Sequence, residues 1–355
     1  MSVLHQRIFA AVLVYDYLII GQGIAGSTLA MRLLEHDARI MVIDHERTNT
    51  SSKVAAGIFN PIAGKRFSLG WRVEECFDAL HSFYPMIEKL VKGRFFYPMP
   101  LIRIIPDFGS ANSWMSRSAE ERYKPFVSPE EPFLPALDGR FGMMEIYQAG
   151  YLDTQGYINL VRDHLRSADA LTITDEDVHP EITEKGVSWN GLNARNVVFA
   201  NGIHAMQDPL FSDLPFTPMK GEILDVKCPA PRDRIVTGSC FMCPDQSGTF
   251  RVGSTYDWRN VNEEITEDAR KDLTGRLEKF MFIPYEVTGH SAGIRPSVKD
   301  RKPLIGQHPD HDNVFLFNGL GSKGVSLAPY LSSVLWQKMN AGSEIPREID
   351  LNRFK

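Results

Sequence analysis

The chain has 355 residues, of which 43% are hydrophobic and 23% charged, with a formal net charge of −5. That mix belongs to an ordinary soluble protein with material for two domains or one interleaved body. The acidic balance argues against a general nucleic-acid or membrane binder, which needs a basic face.

From the N-terminus, the apolar run "IFAAVLV" at 8–14 is too short to span a bilayer and lacks a convincing cleavage site. It is read as an N-terminal extension. The next stretch, "VYDYLIIGQGIAGSTLAMRLLEHDARIMVID" (14–44), reads as strand, turn, helix, strand. "YLII" suits a parallel strand buried on both faces. Gly21, Gly23 and Gly26 form G-x-G-x-x-G. The first allows a tight turn, the second lets backbone approach a pyrophosphate, and the third lets helix pack on strand. The helix start at Ile24 and Ala25, with Ala25, Leu29, Leu33 and Leu34 turned inward, aims its N–H groups at the phosphates. "RIMVID" ends in Asp44, 23 positions after Gly21, at the spacing of an acid that binds a ribose diol; His45 lies beside it. An acid there disfavours NADP, while NAD and FAD both remain compatible with this unit.

"SSKVAAGIFNPIAGKRF" (51–67) follows. Ser51 and Ser52 supply donors for phosphate oxygens. Ala55, Ala56 and Gly57 leave the nearly bare backbone that a planar ring would stack against. Further helices are predicted at 72–92, 112–122, 154–167, 265–279 and 324–340. Strands are predicted at "LIRII", "MMEIYQ", "EILDV" and "TFRVGST", with Pro-rich seams at 96–100, 128–135 and 213–221. Cys76, Cys228, Cys240 and Cys243 are few for such a length, which points to a reducing, cytoplasmic setting. The lone "CFMC" is read as buried strand thiols, "HPDH" at 308–311 as a surface turn, and no metal site is expected.

The stretch from Ser51 to Ile58 resembles the matching segment of the D-amino-acid oxidase family of flavoenzymes, which includes glycine oxidase and sarcosine oxidase. Other segments resemble that family in the same order: "GYLDTQGYINLVRDHL" (150–165), "VVFANGIHA" (197–205), "KGEILDV" (220–226), "FMCPDQSGTFRVGST" (241–255), "AGIRPSVKDRKPLIG" (292–306) and "NGLGSKGVSLAP" (318–329). The resemblance implies an α/β fold, with a Rossmann-type FAD-binding domain interleaved with a smaller α+β substrate domain on a mixed sheet. The expected division is 1–80, 150–212 and 287–355 for FAD, and 81–149 and 213–286 for substrate.

The resemblance also implies roles. Ala56, Gly57 and Ile58 would contact the flavin ring, Val178 the adenine edge, and Ala200, Asn201 and Gly202 the cofactor at the end of their strand. Gly319, Gly321, Ser322, Lys323, Gly324 and Val325 would bring a second helix N-terminus to the flavin. That explains two glycine loops in one chain, one for each end of a single FAD. Arg295 matches the family's carboxylate clamp, and a guanidinium fork suits that task. It would place the substrate carbon for hydride transfer to flavin N5, with O2 or another acceptor taking the electrons.

The sequence departs from the family in places. Thr154 replaces a Pro, Phe241 stands near a family Tyr, and "KPLIGQHPDHDN" has no Cys to tether FAD, so a non-covalent cofactor is expected. "GLGSKGVSLAP" is closer to the oxidase half of the bifunctional enzyme that matures methylaminomethyl-uridine in tRNA. The reading is therefore an enzyme oxidising the C–N bond of an amino acid or N-substituted glycine. The alternatives are oxidation of the carboxymethylamino group of a modified nucleoside or larger amine, and a flavin binder without turnover. Neither nucleic acid nor a membrane is expected as a partner.

Overall fold

The computed structural model describes residues 14–64, 66–128, 130–132 and 134–354. The expected N-terminal extension, apart from Val14, and Lys65 lie outside the described residues.

Two sheets organise the chain. The first is parallel at its centre, where Leu171–Ile173, Ile40–Asp44, Val14–Ile20, Leu192–Phe199 and Val314–Asn318 lie side by side. Leu304–Gln307 joins its edge antiparallel to Val314–Asn318, while Gly186–Trp189 pairs antiparallel with the first residues of Leu192–Phe199 and carries Glu181–Thr183 beyond it. Helix Ile24–Glu35 crosses from the first strand to the second, with Leu29, Ala30 and Leu33 fully buried. Val42, Val197, Val198 and Leu316 are also fully buried, as a parallel sheet covered on both faces requires. The carboxyl ends of these strands, at Ile20, Asp44, Phe199 and Asn318, open on one side.

The second sheet is mixed and has seven strands in the order Glu286–Arg295, Met219–Lys227, Phe250–Gly253, Phe241–Pro244, Ile235–Thr237, Leu101–Ile104, Met143–Ile146. All four strands predicted for it are present. Helices form at Val73–Val91, Thr154–Ser167, Glu267–Leu277 and Gly324–Ala341, close to their predicted bounds. The helix predicted at 112–122 starts earlier, at Phe108, because the Asp107 carboxylate caps it by accepting from Ser110 N. It ends at Ser118, and 3-10 turns cover Glu121–Phe126.

Two expected boundaries differ from the strands and helices. The seam at 80/81 falls inside the continuous helix Val73–Val91, whose Phe77, Leu80 and Phe83 share one apolar core with Leu29, Leu327 and Leu331. The strand Glu286–Arg295 belongs to the second sheet, beyond the expected limit at 286, because it pairs with Met219–Lys227 along its length. Amphipathic periodicity locates such elements but does not say which sheet they join.

Candidate active site

A cleft of about 540 Å³ lies between the carboxyl ends of the first sheet and one face of the second. At one end stand Gly21, Gln22, Gly23, Ile24 and Ala25. Gly21 has φ +98°, and a Cβ there would stand 2.8 Å from Ala200 O, so the turn needs glycine. Gly23 caps the helix with no side-chain bond, which leaves backbone donors facing the cleft. One of them is taken: Ile24 N donates to Ser52 Oγ at 3.1 Å.

Asp44 and His45 line the same end, beside Val178. The Asp44 carboxylate is already engaged. Oδ1 accepts from Gln22 N at 2.9 Å, and Oδ2 accepts from Glu46 N at 3.0 Å and Arg162 Nη2 at 2.7 Å. Arg162, 4% exposed, also donates to Gln22 Oε1 at 2.6 Å and Glu46 Oε1 at 2.9 Å. One guanidinium fork thus ties the glycine loop to the acid at the next strand end. A carboxylate has about four acceptor positions, so Asp44 keeps capacity for a ribose hydroxyl.

The middle of the cleft is walled by Ser51, Ser52, the run Ala55–Ile58, and Ala200, Asn201 and Gly202. Gly57 has φ +71°, and a Cβ there would lie 1.9 Å from Leu152 O, so the backbone passes too close to its neighbour for any side chain. Opposite stand Gly321, Ser322, Gly324 and Val325, at the start of a helix whose N-cap makes no side-chain bond. Tyr84 Oη donates to Val325 O at 3.0 Å and fixes that first turn from behind.

The second sheet closes the far end, and Arg295 lies there. Its Nη2 donates to Ser254 Oγ at 2.7 Å, and its Nη1 to Thr255 O at 3.3 Å and Lys220 O at 3.4 Å. All three acceptors are neutral. Burial lowers its pKa from the ordinary guanidinium value, with the Tyr256 phenol pulling the other way. The ring of Tyr256 lies 4.9 Å from the guanidinium carbon. Asp300, near it in sequence, pairs instead with Arg353 at 2.8 Å.

Gly221 makes this placement possible. A Cβ there would stand 2.0 Å from Arg295 Nη2 and 2.3 Å from its Cζ. Gly221→Ala should therefore push the guanidinium off its seat. Steady-state kinetics should then show kcat/KM for carboxylate-bearing amines falling roughly tenfold to a hundredfold, as for a misplaced group, with FAD content unchanged. A variant with wild-type kinetics would show that the seat is not needed.

Gly319 and Lys323, expected at the cofactor, are not among the residues that line the cleft, and neither is Gly26, the packing glycine of the first loop. Gly26 is a packing residue, since a Cβ there would lie 1.9 Å from Gly21 O. Gly319 faces Leu304 N and Val298, each 2.8 Å from its Cβ position. Lys323 is the N-cap of the last helix, outside the lining. Tyr256, Gly221, Gln22 and Arg162 escaped the sequence reading. Tyr256 follows the recognised "VGST" by a single residue, so a longer look at that hairpin would have found it. Phe241 lies on the cleft floor. Cys240 and Cys243 are buried free thiols.

The cleft fits a flavin dinucleotide. It has uncapped helix starts at both glycine loops, a bare backbone strip between them, and the buried Asn201 Oδ1, which has no hydrogen-bond partner among the described residues. Among the described residues no helix is long and apolar enough to cross a membrane.

Comparison with known proteins agrees. The family model described as FAD dependent oxidoreductase matches residues 16–336. A glycine oxidase from Pseudomonas putida is 26% identical over 353 residues, covering 92% of this chain and 94% of that protein. A tRNA 5-methylaminomethyl-2-thiouridine biosynthesis bifunctional protein from Marinobacter nauticus is 25% identical, and the match covers 89% of this chain but 54% of that protein. The chain thus spans about half the length of that bifunctional relative. The crystal structure of glycine oxidase from Geobacillus kaustophilus superposes with a TM-score of 0.79 at 20% identity, covering 96% of this chain and 98% of that one, a likeness of fold.

Proposed function

This chain belongs to the FAD dependent oxidoreductase family, and on that premise we propose that it oxidises the C–N bond of an amino acid or N-substituted glycine. The observation that carries the reading is Arg295. It sits in the cleft with a largely buried guanidinium whose hydrogen bonds, among the described residues, go to neutral oxygens. A buried cation without a carboxylate is costly, and a substrate carboxylate offsets that cost.

FAD, when bound, supplies the two-electron acceptor for the oxidation. We assign its pyrophosphate to the Gly21–Ala25 loop with Ser51 and Ser52, its ribose to Asp44, and its ring to the strip Ala55–Ile58. The backbone donors from Gly321 to Val325 would face negative charge at the far end of the ring. Arg295 then binds and orients the substrate by its carboxylate, Gly221 seats Arg295, and Tyr256 covers it. The substrate loses two electrons and becomes an imine, which water hydrolyses. O2 or another acceptor takes the electrons.

A second reading has one observation in its favour. Tyr256 and Trp258 are 54% and 60% exposed and stack at 6.4 Å beside the cleft, which would suit a larger amine. A carboxymethylamino group is itself an N-substituted glycine, so it would use the same clamp.

FAD should co-purify and be released by acid, because no Cys lies in the segment 302–313 where the family's tether would be. Acid precipitation should leave a yellow supernatant. Flavin that stays with the precipitated chain would refute non-covalent binding. A single amine screen, read as bleaching of the flavin, would test the function. Bleaching by amines with a carboxylate supports it, and bleaching only by amines without one refutes it.

A further inference from the structure

The substrate end of the cleft extends beyond Arg295, along a row of residues that crosses the second sheet. Ile223, Gly253, Phe241 and Thr237 are direct cross-strand partners in sequence. Residues directly opposite one another in a sheet share a face. Ile223, Phe241 and Thr237 all line the cleft. On the neighbouring strand Arg103 is the direct partner of Thr237, and Leu101, two residues before it, also lines the cleft. Gly253 adds no side chain, and Ile223 and Phe241 close over it: each comes within 3.0 Å of where its Cβ would stand. The floor is therefore an apolar strip from the Arg295 seat to Thr237.

At the end of the strip the chemistry changes. Thr237 Oγ1 is buried and, among the described residues, has no hydrogen-bond partner. A buried hydroxyl is rarely left unpaired, so the site calls for a partner from a ligand or a water. The strands bearing Gly221 and Thr237 are three spacings apart, roughly 14 Å. The Arg295 guanidinium leans across the first of those spacings towards Ser254, which leaves on the order of 10 Å between clamp and hydroxyl.

We propose that this strip is a specificity subsite, and that the preferred substrate carries an apolar arm of about eight bonds from its carboxylate, ending in a hydrogen-bonding group that meets Thr237. The class is an N-substituted glycine or α-amino acid with a polar-tipped aliphatic arm, in place of glycine itself. This rests on the carboxylate clamp at Arg295.

The test is anaerobic flavin reduction by the holoenzyme with glycine, N-hexylglycine and N-(hydroxypentyl)glycine. The arm should raise kcat/KM over glycine by at least about tenfold, as burial of several methylenes requires. The hydroxyl tip should add roughly three- to tenfold over the methyl tip, the worth of one neutral hydrogen bond. Thr237→Val should erase the preference between tips, and Thr237→Ser should keep it. Equal values for all three substrates in the wild type would overturn the subsite, with no variant needed, and leave the clamp standing. A tip preference that survives Thr237→Val would overturn the role of Thr237. If carboxylate-free N-methylhexylamine reduces the flavin as fast as N-hexylglycine, the clamp falls and the subsite falls with it.

Discussion

Arg295→Met should keep FAD and the fold while losing turnover of carboxylate-bearing amines. The guanidinium is held by three neutral oxygens and flanked by Tyr256. Its charge therefore has capacity that the protein leaves unused. Removing one partner of a desolvated charge pair costs on the order of 2–5 kcal/mol, or roughly 30-fold to several thousandfold in kcat/KM. Methionine fills similar space without charge, so packing over Gly221 survives. Arg295→Lys should rescue only partly, because an ammonium cannot reproduce the fork that reaches Ser254 and a carboxylate together. Amines without a carboxylate should lose much less. Equal losses for both kinds of substrate, or loss of FAD, would make Arg295 a structural residue.

Arg162→Met should weaken FAD binding and the fold together, and leave substrate preference alone. Arg162 serves Gln22, Asp44 and Glu46 with three separate donors. Its side chain is 5% exposed and that of Asp44 16%, so its loss strands a largely buried carboxylate. Breaking such a pair costs about 3 kcal/mol; the low end of the usual range applies because Glu46 is 46% exposed and is screened by water. The Gln22 loop then loses its anchor, and the FAD dissociation constant should rise roughly tenfold to a hundredfold. Lysine should not compensate, since one ammonium cannot span three acceptors. Titration of apoprotein with FAD, alongside thermal unfolding, checks this. Unchanged affinity and unchanged melting would show that the tie between glycine loop and acid is idle.

The glycine loop, the acid and the bare backbone strip that line the cleft were legible in the sequence, because their features are local. Gly21, Gly23 and Asp44 sit at fixed offsets within one strand–helix–strand unit, and Ala55, Ala56 and Gly57 are consecutive. Each faces the cleft for a reason visible in a short window. The features it did not carry are long-range. Arg162 meets Asp44 across 118 positions, and Arg295 lies over Gly221 because two strands pair antiparallel. Gly26 and Gly319 illustrate the converse. A glycine in a recognised loop can serve packing in place of ligand contact, and the neighbour at its Cβ position tells the two apart. The subsite row from Ile223 to Thr237 depends on strand register across four strands, which no local pattern encodes.

The most direct test is anaerobic mixing of the yellow holoenzyme with two amines that differ only in a carboxylate, such as N-hexylglycine and N-methylhexylamine, while the flavin's visible absorbance is followed. The account predicts rapid bleaching by the first and bleaching slower by at least about thirtyfold with the second, the smallest loss expected for an unfilled clamp. Equal rates for the pair, or faster bleaching by the amine without a carboxylate, would contradict it.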